Sequence, residues 1–200
     1  MITTIIFDIG NVLADFTWEE HYRSLGYTGE ILERITKATV KSPLWSEFDR
    51  GVLTPEELER ECIKIDPEIA EDIHRCFTDV RGMIRRNDYA IPWIQELKQK
   101  GYRVLYLSNF SDLAETVYAD KLDFRPLMDG GILSYEEKIV KPMPEIYKLL
   151  IDRYDLTPAE CVFLDDTEKN LPPAEAFGIH TILFKNLEQA KEELRELGVK

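Results

Sequence analysis

The sequence predicts an α/β fold: a Rossmann-like parallel sheet whose first strand is separated from the rest by an all-helical insertion. Three observations predict it. An apolar, β-branched run occupies residues 2–7. From residue 17 to residue 86 the hydrophobic spacing is helical only. After Asp88, short apolar runs alternate with helical periods, the pattern of parallel strands covered by helices on both faces. Two hundred residues, 44% of them hydrophobic, suffice for one such domain with a sizeable insertion. The expected division is an α/β core of residues 1–15 and 87–200 and a helical cap of residues 16–86.

Each element has a local cause. The strand at 2–7 ends at Asp8-Ile9-Gly10-Asn11, a cluster of turn formers. Thr17 reads as the N-cap of a helix over 18–25, with Gly26 as its stop. Residues 44–51 read as a short helix and loop. Thr54-Pro55-Glu56-Glu57 is a capping box with proline at the first helical position. Helix 89–100 closes at Gly101, and 102–107 is a strand. Ser111-Asp112 starts a helix to Leu122, and a helix over 143–154 follows Pro142. Residues 161–164 are a buried strand, helix 168–177 stops at Gly178, and 181–184 are a last strand. Leu187, Ala190, Leu194 and Leu197 form the apolar stripe of a closing helix.

Composition narrows the function. Against 25 Lys and Arg stand 38 Asp and Glu, a net charge of −13. Nucleic acid and anionic membranes require a basic face, so neither is expected as a partner. No apolar window is long enough to span a bilayer, and the N-terminus has no basic region followed by a cleavage site. Three widely spaced cysteines, Cys62, Cys76 and Cys161, make neither a disulfide framework nor a zinc site. A cytoplasmic protein, monomeric or homodimeric, is the expectation.

In parallel sheets, ligands bind outside the carboxyl ends of the strands. Four polar clusters fall there or in adjoining loops: Asp8, Ser108-Asn109, Lys141 and Asp165-Asp166. Singly, each has a plain structural explanation. Asp8 shapes a turn, Ser108-Asn109 caps a helix, Lys141 is solvated, and the acidic pair complements a helix N-terminus. Together they supply complementary chemistry at one edge, which coincidence explains poorly.

Phe7-Asp8-Ile9-Gly10-Asn11-Val12, Leu107-Ser108-Asn109, Lys141-Pro142 and Phe163-Leu164-Asp165-Asp166 resemble the four ordered motifs of the haloacid dehalogenase superfamily. The opening motif and Phe48-Asp49-Arg50-Gly51-Val52-Leu53-Thr54 resemble the branch that holds α-glucose-1-phosphatase-like enzymes and the phosphatase domain of soluble epoxide hydrolase. The resemblance implies a Mg²⁺-dependent phosphatase acting on a small phosphorylated metabolite such as a sugar phosphate. Asp8 would attack phosphorus, and Lys141 would supply a point charge for the phosphate and the nucleophile. Asp8, Asp166 and the Gly10 carbonyl would hold the metal, with Asp165 acting through water. Ser108 and the Asn109 backbone N–H would hold phosphate oxygens, and Asn170 would orient Lys141 or the phosphate.

Gly10 departs from the superfamily pattern, which usually places an acid–base aspartate two residues after the nucleophile. Asp15 is the nearest substitute in sequence. Trp18, His21, Trp45, Phe48, Asp49 and Arg50 could face the site from the cap, with Asp49 and Arg50 the better specificity candidates because they lie on a loop. Two other functions compete. One is a metal-free haloacid dehalogenase, which the acidic pair opposes. The other is a non-catalytic binder of phosphorylated metabolites, which Gly10 makes conceivable.

Overall fold

The computed structural model describes residues 1–200. Strand β1 (Thr4–Phe7) leads to the short strand β2 (Ala14–Phe16). Five helices follow: α1 (Trp18–Ser24), α2 (Gly29–Ala38), α3 (Pro43–Asp49), α4 (Pro55–Ile65) and α5 (Ala70–Thr78). The chain returns through β3 (Ile84–Arg86) to α6 (Ala90–Gln99), β4 (Arg103–Ser108) and the single turn α7 (Leu113–Thr116). Then come β5 (Gly131–Leu133), α8 (Ser134–Glu137), α9 (Pro144–Tyr154) and β6 (Cys161–Asp165). The last elements are α10 (Leu171–Ala176), β7 (His180–Leu183) and α11 (Leu187–Glu196).

The main sheet has five strands in the order β5-β4-β1-β6-β7, and every pairing is parallel. Its residues alternate between two cores because successive side chains point to opposite faces. Ile5, Phe7, Val104, Val162 and Leu164 join a cluster with Trp93, Ile94, Ala190 and Leu194. Ile6, Leu105, Leu107 and Phe163 join Ile146, Tyr147, Leu150 and Ala174 on the other face. The first cluster continues into the helical segment through Tyr22, Ile35, Leu58 and Ile73, so the insertion shares its apolar core with the sheet. All three cysteines are buried and free. No helix is long and apolar enough to cross a membrane.

Local chemistry accounts for most boundaries. Thr54 and Glu57 form the expected capping box on α4. Gly26 and Gly101 adopt φ of +97° and +87°, which only glycine takes without strain, and each ends a helix as expected.

Four expectations need correction. Residues 84–86 form a strand, not a helix, and pair antiparallel with β2 through Ala14–Arg86, Asp15–Arg85 and Phe16–Ile84. β5 is a fifth strand where none was expected. Both strands are three residues long, too short to display a period of two. The helix expected over 111–122 shrinks to α7, because Thr116, Val117 and Tyr118 are β-branched or aromatic and favour helix weakly. Thr17 does occupy the N-cap position of α1, but its hydroxyl donates to the Gly82 carbonyl at 3.0 Å and caps nothing.

Candidate active site

β1 lies between β4 and β6, with Phe7 level with Tyr106 on one side and Leu164 on the other. The residues that follow at the carboxyl edge therefore meet: Asp8 from β1, Ser108 ending β4, and Asp165 ending β6. Lys141 enters from the loop before α9. Its Nζ lies 2.9 Å from an Asp8 carboxylate oxygen and 2.6 Å from an Asp165 oxygen. Lys141 is 3% exposed and Asp165 fully buried, and burial of that kind is tolerable only for charges that are paired.

The partners of this chain of charges are themselves held. The Asn109 amide donates to the Lys141 carbonyl at 3.0 Å, and its oxygen accepts the Lys141 backbone N–H at 2.8 Å. Asp165 accepts the Thr167 backbone N–H at 2.8 Å, and the Asn170 amide donates to both of its oxygens at 3.0 Å. Burial drives the Asp8 carboxyl up to about 7, against the pull of the Lys141 ammonium; the Asp165 charge adds to the rise and the Ser108 hydroxyl opposes it. Burial alone would push Lys141 down, but the charges of Asp8 and Asp165 outweigh it and raise the ammonium above its ordinary value.

Oxygen atoms of Asp8, Asp165 and Asp166 lie within 4.8 Å of one another, close enough to share a cation. The three are not equivalent. Asp165 is fully buried and bound on both oxygens, whereas Asp166, which accepts the Asn11 amide at 2.9 Å and the Thr167 hydroxyl at 3.3 Å, borders the cavity over Asp8. Gly10 also borders that cavity, and its carbonyl accepts no backbone hydrogen bond. Hard oxygen donors of this kind, with a net negative charge, fit Mg²⁺.

A cavity of about 200 Å³ opens over Asp8. Ser108, Asn109 and Asp166 reach it from the core, and Trp45, Phe48 and Asp49 from α3. The Ser134 hydroxyl donates to the Asp49 carbonyl at 2.5 Å and fastens the end of α3 to the core. The Asp49 carboxyl has no hydrogen-bond partner; burial drives it up to about 7, with the charge of Asp8 adding and Lys141 opposing.

Several candidates lie elsewhere. Arg50 turns to Glu47, 2.5 Å away. Asn170 sits behind Asp165 and does not line the cavity. Trp18 stacks beneath the Lys41 ammonium, and His21 packs against Gly82. Asp15 is engaged by Arg85 at 3.2 Å and Asn87 at 3.0 Å in the β2–β3 pair, away from the cavity. Sequence reasoning missed Asn11 and Ser134 as positioning groups. Asn11 stood inside the opening motif and takes φ of 54°, a backbone that asparagine tolerates better than most residues. Ser134 carried no signal, because its partner is 85 residues away.

A parallel sheet with a buried Asp–Lys–Asp chain and a further aspartate at its carboxyl edge defines an α/β enzyme with an acidic site. The chain matches the haloacid dehalogenase-like hydrolases over residues 2–178 and belongs to that family. It is 28% identical over 200 residues to sesquiterpene phosphatase astK of Aspergillus oryzae, covering 96% of this chain and 94% of that protein. It is 36% identical over 105 residues to bifunctional epoxide hydrolase 2 of Sus scrofa, covering 50% of this chain and 19% of that protein. It spans 19% and 37% of the length of two other curated relatives. In fold it is similar to the magnesium complex of a haloacid dehalogenase family enzyme from Bacteroides thetaiotaomicron. The TM-score is 0.75 and the identity 23%, covering 97% of this chain and 98% of that one.

Proposed function

We propose that this hydrolase is a Mg²⁺-dependent phosphatase that removes phosphate from a small phosphorylated metabolite through an aspartyl-phosphate on Asp8. The observation that carries the reading is the environment of Asp8: a carboxylate on a sheet edge, touched by a buried lysine and facing a cavity beside a second acid. The similarity to a sesquiterpene phosphatase along nearly the whole chain supports phosphate over halide as the group released. Two aspartates beside the nucleophile also oppose a carboxylate substrate at a metal-free site.

This reading gives each residue of the site a role. Asp8 displaces the alcohol from phosphorus, and water then hydrolyses the acyl phosphate, so one difficult displacement becomes two. Lys141, fixed between Asp8 and Asp165, neutralises the nucleophile and a phosphate oxygen. Ser108 and the Asn109 N–H supply donors for the remaining oxygens. Asp8, Asp166 and the Gly10 carbonyl would hold Mg²⁺, and Asp165 contributes by orienting Lys141. When bound, the ion offsets the repulsion between carboxylate and phosphodianion and favours ionised Asp8. Residues 16–86 act as the cap, with β2 and β3 as its two stems and Asp49 as its contact with the substrate.

Inorganic phosphate release from a panel of phosphorylated metabolites, with Mg²⁺ and with EDTA, tests this. Release that requires Mg²⁺ is expected, and Asp8→Asn, a nearly isosteric change, is expected to abolish it while leaving the circular dichroism spectrum unchanged. Phosphate release that survives in Asp8→Asn ends the proposal.

A further inference from the structure

Displacement at phosphorus leaves an electron pair on the ester oxygen, and an unprotonated alkoxide departs poorly. The cavity over Asp8 holds few groups able to hand that oxygen a proton. The Asn11 amide donates to Asp166, and the Tyr118 hydroxyl donates to the Val80 carbonyl at 2.7 Å. Ser111 offers a hydroxyl, but one alcohol is too weak an acid to protonate another. Asp8 touches the Lys141 ammonium and Asp166 accepts the Asn11 amide, contacts that favour their ionised forms. Asp49 remains.

Asp49 differs from Asp8 in its partners. Lys141 Nζ is 2.9 Å from Asp8 and otherwise pairs with Asp165, whereas no ion pair or hydrogen bond reaches the Asp49 carboxyl. The Asp8 charge is nevertheless close enough to oppose ionisation of Asp49. Where two carboxyls compete for one proton, it stays on the one that lacks the ammonium. Phe48 and Phe110, 2% and 8% exposed, border the same cavity and keep its polarity low. The main chain fixes the position. The Ser134 hydroxyl donates to the Asp49 carbonyl and the Lys138 ammonium to the Gly51 carbonyl, so two residues of the core hold the end of α3 over Asp8.

We propose that Asp49 is the general acid of the Asp8 reaction, a catalytic residue contributed by the helical insertion, resting on the phosphatase reading of the site. The Asp8 carboxylate forms a bond to phosphorus as the bond from phosphorus to the ester oxygen breaks. That oxygen takes the Asp49 proton and leaves as the neutral alcohol, with Asp49 now a carboxylate. Asp49 then accepts a proton from the water that attacks the acyl phosphate. The bond from phosphorus to Asp8 breaks, phosphate leaves, and Asp8 is again a carboxylate and Asp49 a carboxylic acid.

The experiment measures kcat and KM for n-butyl phosphate and p-nitrophenyl phosphate, with Mg²⁺, in the wild type and in Asp49→Asn, which keeps the shape but has no acidic proton. For butyl phosphate kcat is expected to fall about 100-fold or more at unchanged KM, and for p-nitrophenyl phosphate about threefold or less, since its phenolate leaves unaided. Gly10→Asp, which offers a carboxyl from the core side, is the second variant. It is expected to raise butyl phosphate turnover more in Asp49→Asn than in the wild type. Equal falls for both esters, no fall for either, or the same gain from Gly10→Asp in both backgrounds overturns the role of Asp49. Wild-type turnover of p-nitrophenyl phosphate alongside any of these results leaves the phosphatase standing. A wild type that hydrolyses neither ester removes the phosphatase, and the general acid with it.

Discussion

Gly10 sits where the family usually keeps its acid–base aspartate, and the structure shows no steric reason for glycine there. Its φ is ordinary, and a Cβ built on it meets nothing within 4 Å. The backbone and the space for a Cβ therefore tolerate Gly10→Asp, which would add a carboxyl group at the cavity over Asp8. Positioned acid–base groups are worth about 10²–10⁴ in rate, most where the leaving group is poor. The expected result is a rise in kcat/KM for an alkyl phosphate of about tenfold or more, with little change for p-nitrophenyl phosphate, whose phenolate leaves unaided. Equal effects on both esters would mean that protonation of the leaving group does not limit the wild type. The neighbouring aspartates divide in the same residue-by-residue way. Asp166→Ala removes the carboxylate that Asn11 and Thr167 hold at the cavity and is expected to weaken Mg²⁺ binding at least tenfold by calorimetry. Asp165→Ala takes from buried Lys141 one of its two carboxylate partners and from the Asn170 amide its acceptor, and is expected to cost about 1–3 kcal/mol in urea denaturation. If Asp165→Ala instead leaves stability intact and removes the metal, the two roles are exchanged.

At the scale of elements, the decisive contact joins α3 to α8. Gly51, just past α3, has φ of +70°, and a Cβ there would lie 2.6 Å from the Tyr135 carbonyl. Gly51→Ala both strains the backbone and forces the loop off the core, taking Asp49 with it. A loss of about 1–3 kcal/mol is expected in urea denaturation, together with a raised KM. Unchanged stability and KM would show that the loop's close approach does not position the site. This contact also marks where the sequence ceases to be legible. The parallel sheet, the helical block and the four polar clusters were readable because each leaves a local trace: an apolar run, a capping box, a motif at a strand end. Gly51 was visible only as part of a loop, since its crowding comes from Tyr135, far along the chain. β2, β3 and β5 were invisible for a related reason, as three-residue strands are defined by their partners. Arg50 looked as good as Asp49 in sequence. Their separation depends on which way the last turn of α3 faces, and Glu47 captures Arg50 there.

The whole molecule carries two carboxyls, Asp8 and Asp49, that burial holds near 7 instead of near 4. Between those values the folded protein binds more protons than the unfolded chain, so stability must fall as pH rises through the window from about 4 to about 7. Above pH 7 both are ionised in either state and the slope vanishes. Lys141 is raised from an already high value, so its contribution is lost only in strongly alkaline solution, outside this window. The lowered carboxyls act at the other end. Asp66 is held down by its hydrogen bonds from Arg34, Glu96 by Lys100 and Lys191, and Asp129 chiefly by Lys98 against its own burial. Their contribution is complete above the ordinary carboxylate range and is lost only as pH falls below it. The metal-free protein is therefore expected to be most stable near pH 5, with less stability at pH 8. Asp49→Asn removes one of the two causes without changing shape, and is expected to recover about 2–4 kcal/mol at pH 8 and little at pH 4. Urea denaturation of EDTA-treated wild type and variant at both pH values checks it. Mg²⁺ at pH 8 should stabilise the wild type as well, because a cation favours the ionised Asp8 that burial opposes. Parallel pH profiles in wild type and variant would show that the Asp49 carboxyl does not titrate across this window. Its place over Asp8 would then cost the fold nothing.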